Sequence, residues 1–283
     1  MKIEYHCSIS NKNTALIELL NRENIKYSEG VPGIIDEIIF DICSDHPKFD
    51  EVFPLAKTAI ENELPPLILE TAVFSKEEME SAKWFFMHAT RPLIETRKNE
   101  YTFTYSCRLP SELTKYHHRT QVNPFVVKSM PKWKTKFNFA SECCGDFSMI
   151  FCSDFAREQI MQSDIVGIDF MPVYKGNLTE LKEDIHQFKV DNILPTEAFR
   201  FIGNHIIEPC PICGVPNYVL KQPMLDHIRV IPDRIPEGID VFKSEMTVYE
   251  GWGEKLIIVS KKVYNLIAKD MKERQVRFTP IAW

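Results

Sequence analysis

Glycine is scarce, with 10 in 283 residues. Neither G-x-G-x-x-G nor G-x-x-x-x-G-K-[ST] occurs, so the two common glycine loops that cradle phosphates are missing. No G-x-S-x-G elbow and no H-E-x-x-H helix occurs, which removes the local marks of a serine hydrolase and of a zinc protease. Long apolar runs are lacking too. The most apolar stretches, such as Ile34–Ile42 and Leu256–Ser260, fall far short of the roughly 20 residues that a bilayer requires. The opening Met1-Lys2-Ile3-Glu4-Tyr5-His6-Cys7 has no apolar core of a secretory signal, so a cytosolic chain is expected. In that compartment its 8 cysteines are reduced and read as core residues or metal ligands before disulfides. Positive charge is not in excess: Lys+Arg 34 against Asp+Glu 40 gives a net charge of −6. That balance argues against a general nucleic-acid binder and suits a basic partner.

What is present is an ordinary globular composition. The chain is 44% hydrophobic and 26% charged, enough to bury a core without staples. Ala15, Leu16, Leu19 and Leu20 fall at helical spacing within Asn11–Asn24. Ile34–Ile42 and Tyr101–Tyr105 read as strands. Ser75-Lys76-Glu77-Glu78 fits a capping box, predicting a helix through Met87 that stops before Pro92. On that helix Trp84, Phe85 and Phe86 would be core. No low-complexity linker interrupts the chain. Residues 145–174 align without a gap on 253–282 at a constant offset of 108. Gly145, Ile150, Phe170 and Pro172 meet Gly253, Ile258, Phe278 and Pro280. Each copy reads as strand, helix, then a strand ending in Phe-x-Pro, a unit that needs a neighbour to bury its apolar face. The expected architecture is α+β, with mixed sheets and packed helices. An N-terminal α+β region would run over 1–135, and a C-terminal region holding both units over 136–283.

The sharpest chemical feature is Cys210-Pro211-Ile212-Cys213-Gly214. Two thiolates three positions apart on a tight turn can face one ion, and the glycine lets the backbone fold back: the knuckle of a zinc ribbon. A knuckle gives two of the four ligands that tetrahedral zinc takes, and no second C-x-x-C exists. Cys43-Ser44-Asp45-His46 offers a Cys-x-x-His spacing that would complete a Cys3His site; Cys143-Cys144 is a geometrically poorer pair. The alternative is a turn that binds nothing, with Cys43 an ordinary core residue after an apolar run. Tyr116-His117-His118-Arg119 reads as an exposed polar loop, or else as the pair of a metal-dependent hydrolase. Asp226-His227 reads as surface. Trp133 among Lys132, Lys134 and Lys136 is the one basic–aromatic cluster. It is read as a solvated strand or loop, or else as the contact of a zinc-ribbon nucleic-acid module.

From about Cys143 to Trp283 the chain resembles the double-CXXCG family of bacterial, myxobacterial-type proteins. The likeness lies in Phe147–Tyr174, Glu208-Pro209-Cys210-Pro211-Ile212-Cys213-Gly214, Ile239-Asp240-Val241-Phe242-Lys243, Leu256–Ser260 and Val276-Arg277-Phe278-Thr279-Pro280. It rests on order and spacing more than on identities and covers about half the chain. The family's first C-x-x-C has only Cys43-x-x-His46 as its counterpart here. The resemblance implies an immunity protein: a cytosolic, non-catalytic antidote that binds a cognate protein toxin, often a nuclease. The acidic balance fits a basic toxin cleft.

Overall fold

A computed structural model of the chain describes residues 2–29, 37–61, 67–90, 93–95, 102–105, 118–129, 131–133, 135–142, 148–176, 180–201, 206–219, 228–248, 254–270 and 275–281. Among them no helix is long and apolar enough to cross a membrane. Helices and strands are mixed in the α+β manner expected. The chain divides into two compact units between Glu80 and Ser81.

The first unit contains β1 (Lys2–Ser10), α1 (Thr14–Arg22), β2 (Tyr27–Glu29), β3 (Glu37–Cys43), α2 (Phe49–Glu61), β4 (Leu67–Val73) and most of α3 (Lys76–Ser81). Its sheet has the order β2-β3-β1-β4, antiparallel throughout. The Asn13 side chain caps α1 by accepting from the Leu16 amide at 3.1 Å. Leu16, Leu19 and Leu20 are buried on one face. Each contributes about 1.5–3 kcal/mol by leaving water. They pack with Cys7, Ile9, Phe40, Ile42 and Val52. Burial pushes the Cys7 thiol up to about 12, as befits a core residue, with the Asp41 charge adding to the shift.

The second unit begins with β5 (Trp84–Ala89), β6 (Leu93–Ile94), β7 (Phe103–Tyr105), β8 (Arg119–Gln121), β9 (Val126–Val127) and β10 (Phe139–Glu142). It continues through β11 (Ile150–Ser153), α4 (Asp154–Gln162), β12 (Asp169–Lys175), β13 (Glu180–Lys189), β14 (Ile193–Leu194) and β15 (Phe199–Phe201). It closes with β16 (Ile206–Pro209), β17 (Pro216–Val219), β18 (Ile228–Val230), β19 (Val241–Val248), β20 (Glu254–Ser260), α5 (Lys261–Asp270) and β21 (Val276–Pro280). Among the described residues one sheet has the order β6-β10-β11-β13-β12-β9, and another β16-β17-β19-β20-β5-β21 with β14 beside β19. Buried Gln275 joins elements of the two, accepting from the Phe139 amide at 2.8 Å and donating to Asn138 Oδ1 at 3.0 Å.

Two expectations are corrected. The capping box forms, with the Glu78 amide donating to Ser75 Oγ at 3.2 Å and the Ser75 amide to Glu78 Oε2 at 2.8 Å. The helix nonetheless ends at Ser81, and Trp84–Ala89 is a strand. Phe85 and Phe86 point to opposite faces of β5 and both are buried, which a central strand permits and a surface helix does not. The division near residue 135 also moves, to residue 80, because β5, β6 and β9 pair with β20, β10 and β12.

Within the two aligned segments the described residues form strand, helix, strand: β11, α4 and β12 in one, β20, α5 and β21 in the other. In the first, β11 and β12 flank β13 and both run antiparallel to it. In the second, β20 and β21 flank β5 in the same way. Pro172 and Cys152 share the rung of His186; Pro280 and Val259 share that of Phe85. Pro280 lies on an edge strand, where a missing amide costs no ladder bond.

Asp240 ties the corner between α4 and α5. Its carboxylate accepts from the Val166 amide at 3.0 Å and the Ser260 hydroxyl at 2.7 Å, and Lys262 Nζ lies 3.2 Å away. Burial pushes its pKa up, but these three partners outweigh it and hold the carboxyl below its usual range. Gly167 sits against the same corner with φ +105°, and a Cβ there would meet the Val241 carbonyl at 2.8 Å.

His88 on β5 faces Arg277 across the ladder. Burial, then the arginine charge, lower its pKa to about 4. In the unfolded chain a histidine titrates near 6.5. The unfolded state therefore binds a proton first as pH falls, so stability is full above about 6.5 and lost between there and about 4. The loss is expected to reach about 3 kcal/mol. Urea unfolding of wild type and His88→Gln across that window checks it: the variant should have the flatter profile.

Candidate metal centre

β16 and β17 form an antiparallel hairpin closed by Pro209 and Pro216. Its loop carries both thiols. The Cys210 amide donates to the Val215 carbonyl at 2.9 Å, and the Gly214 amide to the Cys210 carbonyl at 2.8 Å. Gly214 has φ +73° and open space where a Cβ would stand. Its requirement is conformational, worth about 1–2 kcal/mol against any side chain. The backbone thus folds back as the sequence implied. Cys210 is 2% exposed, while Cys213 is partly exposed.

The third group is His118, which directly precedes β8 and is 4% exposed. Its Nδ1 lies 2.9 Å from Cys213 Sγ, and its Nε2 lies 3.3 Å from the hydroxyl of buried Thr247. The ligand atoms of His118, Cys210 and Cys213 all lie within 4.8 Å of one another, so the cluster can hold a metal ion. An ion held at Nδ1 would leave Nε2 to carry the proton and donate to Thr247, which would fix the ring. Thr247 is set by the same ladder as the hairpin, since β17 pairs with β19 at Asn217 and Thr247.

Beside the cluster is a cavity of about 340 Å3 whose walls include His118, Gln121, Lys189, Lys243, Thr247 and Lys255. An irregularity in β19 shapes it. The pairing with β20 slips between Lys243 and Thr247. Ser244 Oγ holds the slip, donating to the Met246 carbonyl at 2.7 Å and accepting from the Leu256 amide at 2.8 Å. Such bulges re-aim side chains next to sites.

Cys43 and His46 belong to the first unit, at the end of β3 and in the turn after it. The Cys43 thiol is raised, mainly by its hydrogen bond to Asp45, and His46 Nδ1 accepts from the Lys48 amide at 3.1 Å. Among the described residues no group of three ligands includes either; the histidine brought to the thiols is His118. The polar-loop reading of His118 is therefore replaced by burial. No local pattern marked it, because its contact with Cys213 spans 95 positions. His117, Cys143, Cys144, Asp226 and His227 lie outside the described residues. Trp133 packs on the core of the six-stranded sheet and donates to the Asp184 carbonyl at 3.2 Å, which makes it a poor stacking platform. No protein-family model and no curated protein matches the chain.

Proposed function

We propose that the chain is a zinc-containing binding protein that neutralises a protein toxin in the cytosol without catalysis. The observation that carries the zinc reading is the buried His118–Cys210–Cys213 cluster. Two soft sulfurs and an imidazole suit Zn2+ and disfavour Ca2+ or Mg2+, which take oxygen. In this reading the ion is structural and ties the β16–β17 hairpin to the segment entering β8. The toxin reading is supported by the double-CXXCG resemblance, whose segments fall in the second unit, and by the net charge of −6. An acidic antidote is drawn to a basic toxin cleft and associates quickly. The test is an affinity pull-down of the tagged chain from its host, followed by co-expression with each toxin encoded beside its gene. One stoichiometric toxin partner and protected cells are expected; failure to protect against all of them overturns the reading.

One observation favours a second reading, a metal-dependent hydrolase: three protein ligands adjoin a cavity, the pattern of catalytic zinc. Ester or phosphoester turnover by the zinc-loaded chain, abolished in His118→Ala, would place that reading first.

A further inference from the structure

The two sulfurs of the Cys210–Cys213 turn differ from the other described thiols in what can reach them. Cys7 and Cys152 are fully buried. Burial, with Asp41 adding, holds the Cys7 thiol up at about 12, and burial carries Cys152 well above its usual range. Cys43 is partly exposed, but its hydrogen bond to Asp45 raises it as well. Thiols kept protonated react slowly, because the thiolate is the nucleophile. Cys213 is partly exposed in the loop of the β16–β17 hairpin, while Cys210, three positions away, is buried. Their sulfurs lie within 4.8 Å of each other. A disulfide brings two sulfurs to about 2 Å. Both side chains stand on one turn, so their rotation can close that gap while the Cys210–Val215 and Gly214–Cys210 backbone bonds keep the loop folded. An accessible sulfur beside a shielded one is the arrangement in which an oxidant meets the first and the second resolves the product.

We propose that this turn is an oxidation site for peroxides: oxidation links Cys213 to Cys210 and frees the metal ion. The switch presupposes the metal reading and is independent of the toxin reading. The Cys213 thiolate attacks one oxygen of the peroxide, the O–O bond breaks, hydroxide leaves, and Cys213 becomes a sulfenic acid. The Cys210 thiolate then attacks the Cys213 sulfur, the S–O bond breaks, a second hydroxide leaves, and the S–S bond forms. The two thiolates lose two electrons; the peroxide gains them with two protons from water and ends as two water molecules. Of the three ligands only His118 is then left, too few to hold the ion. The tie between the hairpin and the segment entering β8 is lost, while the new bond closes the hairpin on itself.

Peptide mapping by mass spectrometry of the full zinc-loaded chain, before and after hydrogen peroxide in modest excess, tests it, with a chromogenic chelator reading the freed zinc. Loss of one zinc per chain is expected, in step with a Cys210–Cys213 bridge. The peptide carrying both sulfurs should become lighter by two hydrogens and take up no alkylating agent. A dithiol with added zinc should restore the thiols and the ion together. Cys43→Ser should respond as wild type does. Zinc retained at doses that oxidise Cys43 overturns the switch and leaves the metal reading standing. So does zinc loss without that bridge, whether the sulfur ends as sulfinic acid or links to Cys107, Cys143 or Cys144. A chain that takes up no zinc at the outset overturns the metal reading, and the switch with it.

Discussion

Stripping zinc from the loaded chain is expected to lower its melting temperature by about 10 °C. A ligand that binds only the folded state stabilises it by about 4 kcal/mol when present at a thousandfold excess over its Kd. For a unit of roughly 200 residues each kcal/mol moves the midpoint by about 2–4 °C. The free energy of holding the ion is folding free energy, since the ligands come from segments far apart in sequence and meet only in the folded state. Cys210→Ser and His118→Ala should each reproduce the drop without a chelator and should show little further response to one. Cys43→Ser should melt lower in chelator just as wild type does, because its thiol lies in the first unit and, among the described residues, belongs to no three-ligand group. Scanning calorimetry with and without a strong chelator decides it. Unchanged melting in both chelator and Cys210→Ser would refute a structural metal.

Asp240→Ala is expected to cost about 3 kcal/mol, close to the effect of metal loss. Deleting the carboxylate removes the acceptor of the Val166 amide and of the Ser260 hydroxyl together, and leaves Lys262 with Asp164 as its ion-pair partner. An unsatisfied partly buried donor costs about 1–3 kcal/mol. The corner has no slack to absorb the change, because Gly167 already sits against the Val241 carbonyl. Asp240→Asn should lose less, keeping one acceptor oxygen but not the charge. The pH sign follows from the depressed carboxyl: its contribution is present above the unfolded value near 3.9 and lost as pH falls through the folded one. Denaturant midpoints of the three proteins at pH 7 and pH 3 check this. The difference between wild type and Asp240→Ala should shrink at the lower pH. A wild-type midpoint for Asp240→Ala at pH 7 would show that the corner is held by other means.

Much of the local structure was readable from residues alone. The Leu16–Leu19–Leu20 spacing and the Ser75–Glu78 box are set by neighbours within one helical turn, and both formed. The fold-back at Gly214 belongs to the same class. What escaped depended on distant partners. Trp84–Ala89 has no strand alternation because both faces are covered, and the capping box just before it invited a longer helix. The cut near residue 135 followed chain order, whereas β5 pairs with β20 and β21 and β9 pairs with β12, all beyond that cut. Of the candidate metal ligands, the two thiols announced themselves by spacing. His118 did not, since nothing in Tyr116-His117-His118-Arg119 distinguishes a buried ligand from a wet loop.

The position of β5 between β20 and β21 bears on how the protein is made. Residues 84–89 leave the ribosome long before their two neighbours exist. At about 5–20 residues per second the wait is roughly 10–40 s. Throughout it Trp-Phe-Phe-Met-His-Ala is a charge-poor aromatic segment of strand propensity with both edges open, the kind of sequence that self-associates. All four strands of the first unit's sheet have been translated by then, but the large sheet cannot close until its last strand has been. Vectorial synthesis therefore places this chain's hazard in the growing polypeptide rather than in the finished fold.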